Sequence, residues 1–145
     1  MLRSKVAALS LLATITLAAC GGGSSTSGTV PANADVTVRA VDGIAWDAKE
    51  YSATSHDGKV ILYGVNNSGI AHNLHVRDEA GNELIKPINL SSSGASGTVT
   101  FEATPGEYRI VCTIPGHESL MNSTLTVTAG AATDTTAAAD TTAAP

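Results

Sequence analysis

Apolar and polar residues alternate along most of the chain between residues 35 and 128. The alternation is strictest at Asp35–Val41 and at Ser123–Thr128. A period of two places the apolar side chains on one face of a β-strand. Three further short runs, each bounded by Asn, Asp, Gly or Pro, also predict strands. These runs are Lys59–Val65, Thr98–Phe101 and Glu107–Cys112.

We therefore predict an all-β protein, a sandwich of about eight short strands without a long amphipathic helix. The sandwich is expected to span residues 34–129. The strand signal is weakest over residues 84–96, where Pro87 argues against a central strand and a serine cluster is typical of a loop. We expect Trp46 and Phe101, two of only five aromatic residues, to lie in the core.

The first 19 residues are typical of a secretory signal peptide. Arg3 and Lys5 precede a short apolar run, and the small residues that follow it lead to Cys20. This junction resembles the bacterial lipobox, in which the cysteine receives lipid, so we expect an exported domain anchored to the cell membrane. An ordinary signal peptide cleaved nearby is the alternative. The Gly/Ser-rich residues 20–33 would form a flexible linker between bilayer and domain.

The last residues, 130–145, are rich in Ala and Thr and contain the unit Asp-Thr-Thr-Ala-Ala twice. They have no large apolar side chain, so burial cannot offset the entropy lost on ordering. We therefore predict a disordered tail.

Composition excludes several classes of protein. Two cysteines cannot form a multi-disulfide scaffold. The formal net charge is −5, and loss of Arg3 and Lys5 with the signal peptide leaves six basic side chains against 13 acidic ones, hence −7. Without a long basic stretch, binding to nucleic acid is not expected. If Cys20 carries lipid, Cys112 is the remaining thiol and needs its own explanation.

That thiol lies in a segment that also contains an imidazole and a thioether, since His117 and Met121 follow Cys112 within ten positions. A second imidazole, His72, follows the turn Asn66–Gly69 at the start of another predicted strand. Two imidazoles, one thiolate and a weak thioether are the ligand set of a blue-copper centre. The soft sulfur ligands favour Cu(I), whereas imidazole binds both Cu(I) and Cu(II).

The Cys-x4-His-x3-Met spacing from Cys112 to Met121, together with the pair His72-Asn73, resembles the metal site of the cupredoxins. The spacing looks most like azurin, and auracyanin is also similar. The short stretch between His72 and Cys112 looks more like plastocyanin or auracyanin, so no subfamily is assigned. The resemblance implies a Greek-key sandwich with one type 1 copper, in which His72, Cys112 and His117 are equatorial ligands and Met121 is axial.

The resemblance also implies roles for three neighbouring residues. Asn73 would tie the His72 segment to the cysteine loop and donate its backbone N–H to the sulfur. The N–H of Ile114 would be a second donor, and such bonds raise the reduction potential. Ala71 stands where azurins have glycine, and its carbonyl would approach the metal axially.

Simpler interpretations exist for each of these residues. Cys112 could be a buried structural thiol or half of a catalytic Cys–His pair, and Met121 could fill the core. His75 lies at an odd offset from the first predicted ligand, so we expect it at the surface or an edge. We expect His56 to be solvated in a turn. Glu118 is either solvated or a contact for a basic partner.

We expect a one-electron carrier, not an enzyme, that is monomeric and tethered to the membrane. His117 would be the route of the electron, and the acidic surface favours a partner with a basic docking face, such as a cytochrome or a terminal oxidase or reductase domain. A copper storage or delivery protein using the same site is the second hypothesis. An adhesive sandwich domain without metal is the third.

Overall fold

The computed structural model describes residues 29–130, which form nine β-strands. The predicted signal peptide, Cys20, most of the linker and nearly all of the predicted tail lie outside these residues. Within the described range we find no helix long and apolar enough to cross a membrane. In chain order the strands are β1 (Val36–Val41), β2 (Ala45–Trp46), β3 (Glu50–Ser55), β4 (Lys59–Asn66), β5 (His72–Arg77), β6 (Ile88–Leu90), β7 (Ser96–Glu102), β8 (Gly106–Val111) and β9 (Asn122–Ala129).

The strands form two sheets. One sheet has the order β2-β1-β4-β7, and the other has the order β3-β9-β8-β5-β6. The pairs β1–β4 and β3–β9 are parallel, and the other pairs are antiparallel. Because parallel neighbours need a crossover, the chain passes repeatedly between the sheets. The predicted all-β sandwich is confirmed. It has one strand more than expected, β2, which has only two residues and therefore no alternating pattern.

The core lies between the two sheets. Strand β1 buries every second residue, Val36, Val38 and Ala40, as its alternating pattern predicts. The side chains of Trp46 and Phe101 are 3% and 5% exposed, which confirms that both belong to the core. Burial of these faces is the main stabilising contribution to such a fold.

The weakly patterned segment closes one side of the sandwich through Ile88. This residue packs over two glycines, Gly64 and Gly97, which pair across β4 and β7. A Cβ atom on Gly97 would lie 2.7 Å from Cγ2 of Ile88, so only glycine allows this approach. Strand β6, which begins at Ile88 directly after Pro87, is an edge strand, so the prediction that no central strand forms here is confirmed.

Candidate metal centre

The ends of three adjacent strands bring the predicted ligands together. His72 is the first residue of β5, Cys112 follows the last residue of β8, and Met121 precedes the first residue of β9. These strands are neighbours in one sheet, in the order β9-β8-β5. The connection between β8 and β9 carries His117, so all four residues lie at one end of the sandwich.

Two successive turns shape this connection. The N–H of His117 donates to the carbonyl of Ile114 at 2.9 Å, and Gly116 between them has φ +86°. Proline followed by a glycine with positive φ is the pattern of a type II turn, which explains the sequence Pro115-Gly116. The next turn is helical, since the N–H of Met121 donates to the carbonyl of His117 at 2.8 Å.

The backbone of Met121 is held by two donors. Its carbonyl accepts the N–H of Cys112 at 3.1 Å and the indole N–H of Trp46 at 3.1 Å. The Trp46 ring also lies beside His72, with 6.2 Å between ring centroids. The sequence predicts a core position for Trp46 but no role at the site, because its partner lies 75 residues away and no local motif marks the contact.

Three strong donor atoms converge at this end of the fold. The ligand atoms of His72, Cys112 and His117 all lie within 4.8 Å of one another. Sγ of Cys112 is 3.7 Å from Nδ1 of His117. Cys112 is fully buried and His72 is 2% exposed, whereas His117 is partly exposed. The side chain of Met121 is fully buried in the same core cluster.

The donor set fits a transition metal. At metal–sulfur and metal–nitrogen lengths of about 2.3 and 2.0 Å, two donors 120° apart are about 3.7 Å from each other, which is the separation found between Cys112 and His117. Nδ1 of His72 is buried and has no hydrogen-bond partner among the described residues. Burial lowers the pKa of His72, as does the neighbouring His117, so the imidazole is held neutral with a lone pair available.

Comparison with known proteins agrees with this geometry. A family model described as copper binding proteins, plastocyanin/azurin family, matches residues 32–128. The chain belongs to this family. Copper is therefore the cofactor of this cupredoxin, and the resemblance stated from the sequence is confirmed. A search of curated protein sequences gives no significant match.

Solved structures place the fold in the same group. An azurin (Az-iso2) from the methylotroph Methylomonas sp. strain J is 16% identical, with a TM-score of 0.57 over 67% of this chain and 99% of its own. Auracyanin A, a "blue" copper protein from the thermophilic photosynthetic bacterium Chloroflexus aurantiacus, is 25% identical, with a TM-score of 0.52 over 64% of this chain and 97% of its own. The cupredoxin domain thus spans nearly the whole length of both.

Asn73 joins the two segments of the cupredoxin site. Its side-chain amide donates to Oγ1 of Thr113 at 2.9 Å and accepts the N–H of Thr113 at 2.7 Å. Its backbone N–H lies 3.5 Å from Sγ of Cys112 and donates to it. These contacts are the ones that the resemblance implies for Asn73.

The structure does not show the contacts that the resemblance implies for the two other neighbours, Ile114 and Ala71. Among the hydrogen bonds of the described residues, none runs from the N–H of Ile114 to the sulfur of Cys112. That second donor therefore stays a prediction. Ala71 is exposed directly before His72, and the approach of its carbonyl to the metal also stays a prediction.

His75 lies on the face of β5 opposite to His72, as its odd offset predicts, but it is more enclosed than a side chain at the surface or an edge. Its imidazole is only 12% exposed because it is bonded on both sides, to Oγ1 of Thr113 and to Glu83, each at 3.0 Å. Glu83 also pairs with Arg77, which in turn pairs with Glu118 at 3.0 Å. His75 is thus not among the converging donors, and Glu118 already has a cationic partner within the chain. His56, as expected, is exposed, and it pairs with Asp35.

Proposed function

We propose that this cupredoxin is a one-electron carrier with a type 1 copper site. Its ligands would be His72, Cys112 and His117, with Met121 as a weak fourth ligand. The observation that carries the proposal is the convergence of a buried thiol, a buried imidazole and a partly exposed imidazole. Nδ1 of the buried imidazole has no partner within residues 29–130. Copper bound there supplies a Cu(II)/Cu(I) couple.

The contacts around the site support electron transfer because they fix the donors in place. Cys112 is held through its N–H to Met121 and through the Asn73–Thr113 bridge that follows it. Trp46 holds the backbone of Met121. Side chains that cannot move when the charge of the site changes keep the reorganisation small, which is what rapid transfer of one electron requires.

His117 is the proposed route of the electron to a partner. It is the one of the three converging donors that reaches the surface. The segments carrying the two histidines also expose Ile70 at 43% and Leu120 at 51%, and we propose that these side chains contribute to the contact with a partner. A cytochrome or a terminal oxidase or reductase domain is the proposed class of partner.

The proposed location outside the cytoplasmic membrane is based on the sequence of the first 20 residues. Lipidation at Cys20 would tether the domain outside the cytoplasmic membrane. Anionic head groups would repel a mature domain with a charge of −7, so the acyl chains would have to supply the attachment. The proposal predicts that the full-length protein fractionates with membranes and that its Cys20→Ser variant does not.

The decisive comparison is between electron exchange and copper exchange. A mixture of Cu(I) and Cu(II) protein should show rapid electron self-exchange as line broadening in the NMR spectrum. The same protein should release copper slowly to a competing chelator. Slow self-exchange combined with ready transfer of copper to an apo-acceptor would contradict the carrier and support a storage or delivery protein instead.

A further inference from the structure

Two buried polar residues stand behind His72. Asn66, at the end of β4, is 0% exposed, Ser68 is 1% exposed and His72 is 2% exposed. Oγ of Ser68 lies 3.0 Å from Nε2 of His72, whereas the other ring nitrogen, Nδ1, has no hydrogen-bond partner in the part of the chain that the structure describes. The amide of Asn66 is bonded to Ser68 in turn, so the three side chains form a chain of hydrogen bonds from the core to the site, which we call the relay.

The direction of each proton in this relay follows from the carbonyls around it. Nδ2 of Asn66 donates to the carbonyl of Ile70 at 2.7 Å and to the carbonyl of Leu90 at 2.9 Å. The amide cannot be turned over, because two carbonyls would then face its oxygen. Oδ1 of Asn66 is therefore an acceptor, and it receives the N–H of Ser68 at 2.8 Å and its Oγ–H at 2.7 Å.

The hydroxyl of Ser68 has one proton, and we place it towards Oδ1 of Asn66, because this is the shortest contact of the hydroxyl and the amide oxygen can only accept. The other acceptor near this hydroxyl is the carbonyl of Ile70 at 3.2 Å, which is also unable to donate. Oγ of Ser68 must then accept from His72, so Nε2 carries the ring proton. In a neutral imidazole the other nitrogen is then unprotonated. That nitrogen is Nδ1, for which the described residues offer no hydrogen-bond partner.

We propose that Ser68, oriented by Asn66, is a positioning residue that holds His72 in the Nε2–H tautomer, ready to bind copper through Nδ1. The inference rests on the proposed copper site, but the tautomer itself is a property of the metal-free protein. If the metal-binding tautomer is already the main form of the free protein, no affinity is lost in selecting it from a mixture of two tautomers. Loss of a hydrogen-bond partner of a metal-binding histidine typically weakens metal affinity 10- to 100-fold.

The test uses the metal-free and the copper-loaded domain at pH 8, well above the ordinary pKa of a free imidazole. Long-range ¹H–¹⁵N spectra of the imidazole nitrogens should show a protonated Nε2 and an unprotonated Nδ1 for His72 in the wild type. In Ser68→Ala we expect a mixture of tautomers. We expect copper affinity to fall by about 10- to 100-fold, because the ring also loses the partner that fixes its orientation. Ser68→Thr keeps a hydroxyl and should restore the wild-type tautomer.

Ser55→Ala is the matched control. Ser55 is also a buried serine, 5% exposed, whose hydroxyl donates to the carbonyl of Thr128. It pairs with Ala129, at the end of β9 that is remote from Met121. The control variant should leave both the tautomer and the copper affinity unchanged. A loss of affinity equal to that of Ser68→Ala would mean that any buried serine has this effect, and would overturn the proposal.

The proposal and the proposed function can fail separately. A wild-type His72 that is protonated at Nδ1 overturns the relay even if the copper protein is blue and the Ser68 variants do not fold. Conversely, the predicted tautomer without a blue copper complex would refute the function and leave the relay in place. Wild-type tautomer and affinity in a folded Ser68→Ala protein would also overturn the relay.

Discussion

Replacing Asn73 by Ala tests whether this side chain ties the two metal-binding segments together. The substitution removes the two side-chain bonds between β5 and the cysteine loop, at 2.9 and 2.7 Å. It keeps the backbone N–H that faces the sulfur of Cys112. The variant should therefore be less stable, because the bridge to Thr113 is lost. Its copper complex should keep the blue colour, because the donor to the thiolate remains.

The expected loss follows from those two bonds. A typical hydrogen bond contributes about 0.5–1.5 kcal/mol to stability, so the two together contribute about 2 kcal/mol. For a domain of about 100 residues, each 1 kcal/mol lowers the Tm by about 4–8 °C. The Asn73→Ala domain should then unfold about 8–16 °C below the wild type.

The assay is thermal unfolding of the metal-free domain, followed by circular dichroism. Asn89→Ala is the control, because Asn89 is an exposed residue of β6 that stands directly opposite Asn73 in the strand register. The control should unfold within about 2 °C of the wild type, as exposed substitutions usually cost little. A variant of Asn73 that unfolds together with the control would refute the bridging role.

Three other predictions follow from the same site. Met121→Leu should keep the blue colour and raise the reduction potential, since loss of a weak donor disfavours Cu(II); an unchanged potential in protein-film voltammetry would mean that the sulfur is remote from the metal. Trp46→Phe should cost at least about 1 kcal/mol in urea unfolding, because the indole N–H to Met121 is lost; wild-type stability would rule out that anchor. The pKa of His72 is lowered by burial and by His117, so as the pH falls through about 6.5 the unfolded chain binds a proton first and the metal-free domain loses stability. His72→Gln should make this decline in stability shallower. A wild-type domain that becomes more stable as the pH is lowered from 7.5 to 5.5 would contradict the predicted direction.

The strand pattern could be predicted because burial follows the period of two. The strands at Val36–Val41 and Asn122–Ala129 lie within one residue of the alternating runs that predicted them. Strand β2 could not be predicted, since two residues carry no period and its position depends on pairing with β1. Ile88 packs over Gly64 and Gly97 through contacts between distant segments, which no local pattern records.

At the site, the spacing of residue types predicts the metal ligands in one loop and at the start of one strand. It does not predict the hydrogen bonds that hold these ligands. Cys112, His117 and His72 could be named because their types and spacing match the chemistry of copper. Ser68 and Trp46 act through partners that only the folded chain brings near. The offset of His75 predicts its face of β5 but not its enclosure, since Thr113 and Glu83 meet it from two other segments.

Copper titration of the purified domain tests the central claim most directly. Addition of one equivalent of Cu(II) to the wild type should give an intense blue colour from charge transfer between the sulfur of Cys112 and the metal. The Cys112→Ser domain should fold and remain without that colour. A wild-type complex without the blue band, or a blue Cys112→Ser complex, would contradict the assignment of this site.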